Sequence, residues 1–280
     1  DMGCANRPDP LGCLRAASAQ ALTEKTALGG EHLGGIYFID KNTTYFFEPT
    51  IDGQVLPDQL EKAFSAGDFN RVPVLHGANS DEGGLFLDPF PFYGKSVDTQ
   101  ADFAALVEAR YPGRGKEITA LYGPPRNPTW NDAMAELIGD AVFLCPSRRL
   151  ASYLHASGQT NYLYRFAGTL DALLLPRVSG KSFHGADTPY VLGNDFPLGT
   201  IPSGQEGLTQ TMQSHWARFA LSGDPNAMGQ TGPTWTAYEP DARDEIVLKV
   251  PVERGTYAHA EECELWKRVA AEELTHAAAP

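Results

Sequence analysis

Apolar residues recur at helical spacing along most of the chain, between turn-rich polar stretches. The segment LTQTMQSHWARFALSG is the clearest case, because its apolar residues fall on one helical face and Gly223 ends it. The same pattern predicts helices over residues 11–25, in DQLEKAF, in VDTQADFAALVEARY with Asp98 as N-cap, over residues 130–155 with a kink or break at Pro146, and in AEECELWKRVAAEEL.

Between these helices lie four apolar runs of strand length, YFFEPTI, VPVLHG, NYLYRF and EIVLKV. VPVLHG and NYLYRF are apolar on both faces or rich in aromatic residues, as expected of strands covered on both sides. Strands that alternate with helices predict an α/β protein with a mostly parallel sheet. In such sheets, ligands bind beyond the carboxyl ends of the strands.

Chemically useful side chains follow two of these strands. VPVLHG leads into ANSDEGG, which contains Asp81 and Glu82, and the loop after NYLYRF reaches His184 in FHGADTPYVLG. An acid followed by a histidine is the chain order of an α/β-hydrolase triad, in which the histidine moves the proton and the carboxylate orients the imidazole. His76, inside its strand, and His215, beside Trp216, are interpreted as packing or surface residues instead.

The third member of such a triad is missing from the sequence. No serine is flanked as in the G-x-S-x-G nucleophile elbow, and no HGGG-like oxyanion loop is present. A P-loop and a dinucleotide fingerprint are absent too, so no cofactor is expected. Without histidines at H-x-x-x-H spacing, a metal site is also not expected.

Composition narrows the choice of partner and compartment. A formal net charge of −13 argues against nucleic acid or an anionic membrane as a partner. No apolar run approaches the roughly 18 residues of a membrane span. The four cysteines contain no C-x-x-C pair, and spacing alone leaves three possible pairings open, besides four unpaired thiols in a cytosolic protein.

Four stretches, in order, resemble the type B carboxylesterase/lipase family, the cholinesterase-like branch of the α/β-hydrolases. They are GCANRPDPLGCLRAAS, EPTIDGQVLPDQLEKAFSAGDFNRVPVLHGANSDEGGLF, FHGADTPYVLG and MQSHWARFALSGDPN. The resemblance extends over residues 3–266. It implies a carboxylic-ester hydrolase whose triad acid is Glu82 and whose triad base is His184, with Asp81 an exposed or structural neighbour and Asp187 a cap of the following helix.

The resemblance also implies two disulfides, Cys4–Cys13 and Cys145–Cys263, and hence an oxidising setting outside the cytoplasm, secreted or periplasmic. In the family, the nucleophilic serine and the oxyanion loop precede the segment that matches Cys4 to Cys13. We therefore expect residues 1–280 to be the C-terminal portion of one α/β-hydrolase domain. Its partner is then the N-terminal half, in a preceding segment or a separate chain, and its substrate a small-molecule ester.

Two further expectations follow from this interpretation. Half of an α/β sheet exposes an edge and apolar faces, so the 280 residues should not fold stably alone. The alternative function is a non-catalytic, cholinesterase-like adhesion or binding domain, since a fold does not fix a function. Aromatic residues in LDPFPFYG either line a substrate pocket or only cover the core.

Overall fold

A four-stranded sheet lies at the centre of the computed structural model, which describes residues 2–26, 51–87, 97–194, 197–226 and 232–277. The strands are β1 (Val74–Asn79), β2 (Asn161–Phe166), β3 (Asp244–Leu248) and β4 (Glu253–Thr256), and they lie in this order. β1, β2 and β3 run parallel, whereas β4 pairs with β3 in the antiparallel direction. The predicted α/β class with a mostly parallel sheet is confirmed.

Ten α-helices surround the sheet in the described ranges. They are α1 (Pro10–Ala16), α2 (Ala19–Thr26), α3 (Leu60–Ala66), α4 (Gln100–Arg110), α5 (Gly115–Tyr122), α6 (Trp130–Ile138), α7 (Cys145–Ala156), α8 (Thr188–Leu192), α9 (Glu206–Ser222) and α10 (Ala260–Ala277). A 3₁₀ helix, Glu82–Leu87, follows β1, and a π-helical segment, Gly139–Leu144, joins α6 to α7. None of the described helices is both long and apolar enough to cross a bilayer.

The first predicted helix, residues 11–25, is two helices. Ala17 adopts extended backbone angles after α1. The Ser18 hydroxyl then accepts the N–H of Ala21 at 3.1 Å and so caps the start of α2. A side chain that bonds its own neighbouring backbone offers an alternative to continuing the helix, which explains the break.

The N-cap of α4 is Thr99, and the prediction of Asp98 was wrong by one residue. The Thr99 hydroxyl accepts the N–H of Asp102 at 3.2 Å, and the Asp102 carboxylate accepts the N–H of Thr99 at 3.1 Å. This reciprocal pair is a capping box, which satisfies two backbone donors that the helix leaves unpaired. Only Thr99 stands three residues before an acid that can complete it.

The long helix predicted over residues 130–155 is interrupted, as Pro146 suggested, but the interruption is larger than a kink. Six residues, Gly139–Leu144, form a π-helical segment, and Pro146 lies in the first turn of α7. A proline has no N–H to donate to the turn before it, which agrees with the departure from α-helical hydrogen bonding in that turn.

Two buried clusters form the core. One gathers α4, α5, α6 and α10 around residues such as Phe103, Ile118 and Trp266. The other packs alternate residues of β2 against α8, α9 and Trp235. The predicted apolar face of α9 lies here, and Gly223 ends the helix in the left-handed conformation.

Both disulfides implied by the family resemblance are present. Cys4 pairs with Cys13 around α1, with a Cα–Cα distance of 5.6 Å. Cys145 pairs with Cys263 at 5.0 Å and joins α7 to α10. Of the remaining predictions, residues 88–94 of LDPFPFYG and residues 45–50 of the strand YFFEPTI lie outside the described residues. Ile51, the last residue of that strand, is not in a strand of the structure. β4 was not predicted.

Candidate active site

Glu82 is the first residue of the 3₁₀ helix that follows β1. Its side chain is buried, and its Oε1 accepts the backbone N–H of Asn79 at 2.7 Å. A carboxylate that accepts a backbone N–H is fixed in direction, because rotation of the carboxylate would break that hydrogen bond. The second oxygen, Oε2, therefore points away from the strand end in a defined direction.

His184 meets that second oxygen. Its Nδ1 lies 2.7 Å from Glu82 Oε2, although the two residues lie after different strands. The hydrogen bond and the negative charge of Glu82 raise the pKa of His184, assisted by the charge of Asp187, while partial burial works in the opposite direction. Since Nδ1 faces a carboxylate, it carries the proton in the neutral ring, which leaves the Nε2 lone pair as the acceptor.

The imidazole of His184 packs against two aromatic rings that also stack on each other. Its ring centroid lies 4.7 Å from that of Phe143, in the π-helical segment, and 5.3 Å from that of Phe86. Nevertheless, 45% of the side chain remains exposed, against 7% of that of Glu82. The pair therefore consists of a buried acid and a base that is accessible to a second molecule or segment.

Asn79 joins the two loops that carry this pair. It is buried, and its side-chain amide donates to the carbonyl of Phe183 at 2.8 Å and to Asp187 Oδ1 at 3.4 Å. Sequence reasoning did not single out this residue. The signal in the sequence was its position, at the end of β1 and three residues before Glu82. Polar groups at strand ends face the ligand side of the sheet.

Asp187 has a different role from the one predicted for it. It occupies the N-cap position of α8, but its side chain makes no capping hydrogen bond. Its carboxylate instead accepts the hydroxyl of Tyr164 at 3.1 Å and the amide of Asn79. These donors turn the carboxylate towards β1 and β2, where its charge acts on His184.

Asp81, the neighbour of Glu82, links the same two loops. Its N–H donates to the carbonyl of Ser182 at 3.1 Å, and its carboxylate accepts the N–H of Ser182 at 3.3 Å. Ser182 lies two residues before His184. These hydrogen bonds agree with the expectation that Asp81 is structural, and they fix the separation between Glu82 and His184.

Gly83 is required by the close packing of the 3₁₀ helix on α6. A Cβ atom at this position would lie 1.9 Å from the carbonyl oxygen of Ala135 and 3.0 Å from the amide nitrogen of Gly139. Both contacts are with backbone, which cannot move aside as a flexible side chain can. The glycine after Glu82 therefore lets the acid-bearing turn lie directly on α6 and the π-helical segment.

A second cluster of ionisable groups, which sequence reasoning missed, lies behind this turn. Nδ1 of His259 is 2.6 Å from Asp140 Oδ1, and its Nε2 is 3.4 Å from Glu136 Oε1. The ligand-type atoms of these three residues lie within 4.8 Å of one another. Arg126, however, already forms ion pairs with Glu136 and Glu262, so Arg126 and His259 offset part of the negative charge of the three acids Glu136, Asp140 and Glu262.

The two histidines interpreted as packing or surface residues are packing residues. Nδ1 of His76 lies 2.9 Å from the hydroxyl of Ser147, and burial lowers the pKa of His76 to about 4. His215 is buried, donates from Nδ1 to the carbonyl of Pro225 at 2.8 Å, and packs against the ring of Trp235.

A cleft of about 550 Å³ lies beside the acid. Asn79, Glu82 and Lys181 line one part of it, and Glu136 and His259 line another. The arrangement can move one proton between His184 and a group that approaches its exposed side, with the buried Glu82 stabilising the imidazolium.

The fold of this chain is that of a known solved structure, EstA of Aspergillus niger. The two superpose with a TM-score of 0.73 at 23% sequence identity, over 97% of this chain and 53% of the EstA chain. The present chain thus spans about half the length of the structure that it matches. At this level of identity, the likeness shows a shared fold.

The sequence also matches a family model, described as the carboxylesterase family, over residues 1–266. The match covers almost the same residues as the resemblance found from the four motifs, and it includes both Glu82 and His184. The chain therefore belongs to the carboxylesterase family.

Proposed function

We propose that this chain supplies the acid and the base of a Ser-His-Glu triad that hydrolyses carboxylic esters through an acyl-enzyme. The observation that carries the proposal is the 2.7 Å contact between Nδ1 of His184 and the buried Glu82. The contact leaves Nε2 on the half-exposed side of the imidazole. In a member of the carboxylesterase family, this is the arrangement that activates a serine.

The nucleophilic serine belongs to a segment outside these 280 residues. No serine of this sequence lies in a G-x-S-x-G elbow. The serine-bearing segment and its oxyanion loop form the N-terminal part of the same α/β-hydrolase domain, either ahead of this chain or as a separate chain. The substrate is a small-molecule ester, and no cofactor takes part.

The chemistry divides into two acyl transfers. His184 Nε2 takes the serine proton as the serine oxygen attacks the ester carbonyl, and Glu82 stabilises the imidazolium that forms. When the tetrahedral intermediate collapses, His184 returns this proton to the departing alcohol. Water then attacks the acyl-serine, loses a proton to the same Nε2, and releases the acid as that proton returns to the serine.

The two disulfides support a location outside the cytoplasm, secreted or periplasmic. Cys4–Cys13 and Cys145–Cys263 together use all four cysteines of the chain. Such bridges persist in oxidising compartments and are rare in the cytosol.

Replacement of His184 tests the assignment in the protein that joins this chain to the serine-bearing segment. We expect His184→Ala to lower kcat for a simple aryl ester by at least about 10³-fold, because the general base is lost. His155→Ala is the matched control, since its side chain is similarly exposed at 39% and its nearest acid, Glu239, lies 4.0 Å away. Its kcat should stay within about twofold of the unchanged protein.

Turnover by His184→Ala near the unmutated rate would contradict the proposal. Labelling with an organophosphate-type serine probe distinguishes an esterase from a non-catalytic adhesion or binding domain, because only an activated serine reacts with the probe. Absence of labelling in the unmutated protein would favour the adhesion or binding domain.

A further inference from the structure

A second cleft, of about 500 Å³, lies between α7, the segment before β3 and the first turns of α10, and we call it the α7–α10 cleft. It shares no lining residue with the cleft beside Glu82. The Cys145–Cys263 disulfide forms part of its wall, so the two helices that border it are covalently joined. Its volume lies within the usual range of small-molecule sites.

Three tyrosines, Tyr153, Tyr238 and Tyr257, give this cleft aromatic walls. The rings of Tyr238 and Tyr257 are nearly parallel, with an interplanar angle of 9° and centroids 6.3 Å apart. Tyrosine binds the flat faces of other rings and offers a hydroxyl at its rim. Arg148 already covers a face of Tyr257, with its guanidinium carbon 4.6 Å from the ring centroid, so Tyr153 and Tyr238 are the rings that suit a ligand with a flat, apolar body.

Four basic side chains line the same cleft, and two of them are already paired. Arg148 forms an ion pair with Glu245 at 3.3 Å, and Arg149 forms one with Glu61 at 2.7 Å. These two arginines therefore serve mainly to hold α7 against its neighbours.

Arg243 and Lys267 are exposed and approach the cleft from opposite sides, the segment before β3 and helix α10. Within the described ranges, neither side chain forms an ion pair or a hydrogen bond. Two cations that form no ion pair within those ranges therefore stand at the rim of an aromatic cleft, in a chain with a net charge of −13. Arginine in particular matches the geometry of a carboxylate, which it binds through two parallel hydrogen bonds.

The backbone of Arg243 is held in an unusual conformation. Arg243 has a φ of 49°, a left-handed conformation that residues with a Cβ rarely adopt. Its carbonyl accepts the N–H of Tyr257 at 3.0 Å, which locks the start of β3 to the end of β4. These features fix the backbone from which the Arg243 side chain extends.

We propose that the α7–α10 cleft is a binding site for a small aromatic monocarboxylate. The ring lies against the tyrosine walls, and the carboxylate is held between Arg243 and Lys267. Glu261 and Glu264 also line the cleft, and their charges oppose anion binding, more strongly for polyanions such as nucleoside phosphates than for a single carboxylate. The site therefore selects one negative charge on a flat body.

Isothermal titration calorimetry with sodium 2-naphthoate tests the site in the protein that joins this chain to the serine-bearing segment. We expect the double variant R243Q/K267Q to weaken naphthoate binding at least tenfold, because two charge-assisted contacts are lost. R15Q/K116Q is the matched control: it removes the same two charges from exposed positions outside the cleft and should leave the affinity unchanged.

Two further measurements use the same assay. The uncharged 2-naphthamide should bind at least tenfold more weakly than naphthoate, and Tyr238→Leu should weaken naphthoate binding while the unfolding temperature is kept. Equal affinity of naphthoate for the unmutated protein and for R243Q/K267Q would overturn the proposal, as would equal affinity for the amide and the acid. Because the assay measures binding only, its result does not depend on esterase activity.

Discussion

Two histidine–carboxylate pairs in this chain share the same contact but differ in their surroundings. His184 Nδ1 lies 2.7 Å from Glu82, and His259 Nδ1 lies 2.6 Å from Asp140. The Glu82 hydrogen bond and charge raise the pKa of His184. The pKa of His259 is also raised. Burial lowers it, but the hydrogen bond with Asp140 and the charges of Asp140, Glu136 and Glu262 outweigh burial.

The difference lies in the second nitrogen of each ring. Nε2 of His259 faces Glu136 at 3.4 Å, and Asp140 also accepts the hydroxyl of Tyr122 at 2.9 Å. His184 is more exposed, at 45% against 28%, and the described residues provide no hydrogen bond to its Nε2. The histidine–carboxylate contact alone therefore does not distinguish the two pairs; the surroundings of the second ring nitrogen do.

The largest contrast should appear in turnover. Glu82→Gln should lower kcat for an aryl ester by about 10³- to 10⁴-fold, because a neutral amide neither stabilises the imidazolium nor holds the correct tautomer. Asp140→Asn, the same change in the other pair, should lower it less than about tenfold. Steady-state kinetics on both variants, with circular dichroism to confirm folding, measures this. Equal losses in both would remove the distinction between the pairs.

Stability should show the reverse contrast. Asp140→Ala should cost about 3–5 kcal/mol in the free energy of unfolding, because it leaves the His259 charge without its main buried partner. His184→Ala should cost no more than about 1–2 kcal/mol, since water can reach Glu82 through the space that opens. Urea unfolding of the two variants measures both losses in the free energy of unfolding. A larger loss for His184→Ala would show that both pairs are primarily structural.

The smallest and most specific effects should appear in the pH dependence. His184 must be neutral to accept a proton, so kcat/KM should rise with pH through its raised pKa. Asp187→Asn should move this acid limb to lower pH, because the charge of Asp187 helps to raise that pKa. A pH–rate profile of the two proteins measures the shift, and an unmoved limb would contradict the coupling.

Protonation of His259, in contrast to that of His184, should affect the stability of the protein and not its rate. The pKa of His259 in the folded protein lies above the ordinary value of 6.5. Protonated His259 therefore stabilises the fold fully below pH 6.5, and this stabilisation is lost as the pH rises through the raised pKa. Urea unfolding at several pH values should show this loss in the unmutated protein. His259→Gln should remove this part of the pH dependence and leave the acid limb of kcat/KM in place.

The sequence was sufficient to predict the strands that position Glu82 and His184. VPVLHG and NYLYRF are continuous apolar runs, and they form β1 and β2 almost as predicted. Because these strands are adjacent and parallel, their carboxyl ends meet, which brings the acid and the histidine together. The order of the four motifs indicated the family, and the family resemblance implied both disulfide pairings.

Other features depend on contacts that a local pattern does not contain. β4 has the sequence ERGT and is mostly exposed, so no apolar alternation marks it as a strand. His259 and Asp140 lie 119 residues apart, and their contact requires α10 to dock on the π-helical segment. The part that Asn79 plays likewise follows from the packing of two loops and not from its neighbours in sequence.

The Cys145–Cys263 bridge turns much of this chain into a covalent ring. β2, His184, α8, α9, β3 and β4 all lie between its two cysteines, which are 118 residues apart in sequence. A single proteolytic cut inside that interval would open the ring without releasing a fragment. His184 would stay joined, through Cys145 or through Cys263, to the part of the chain that carries Glu82, so an unreduced, nicked molecule would keep Glu82 and His184 in one covalent unit.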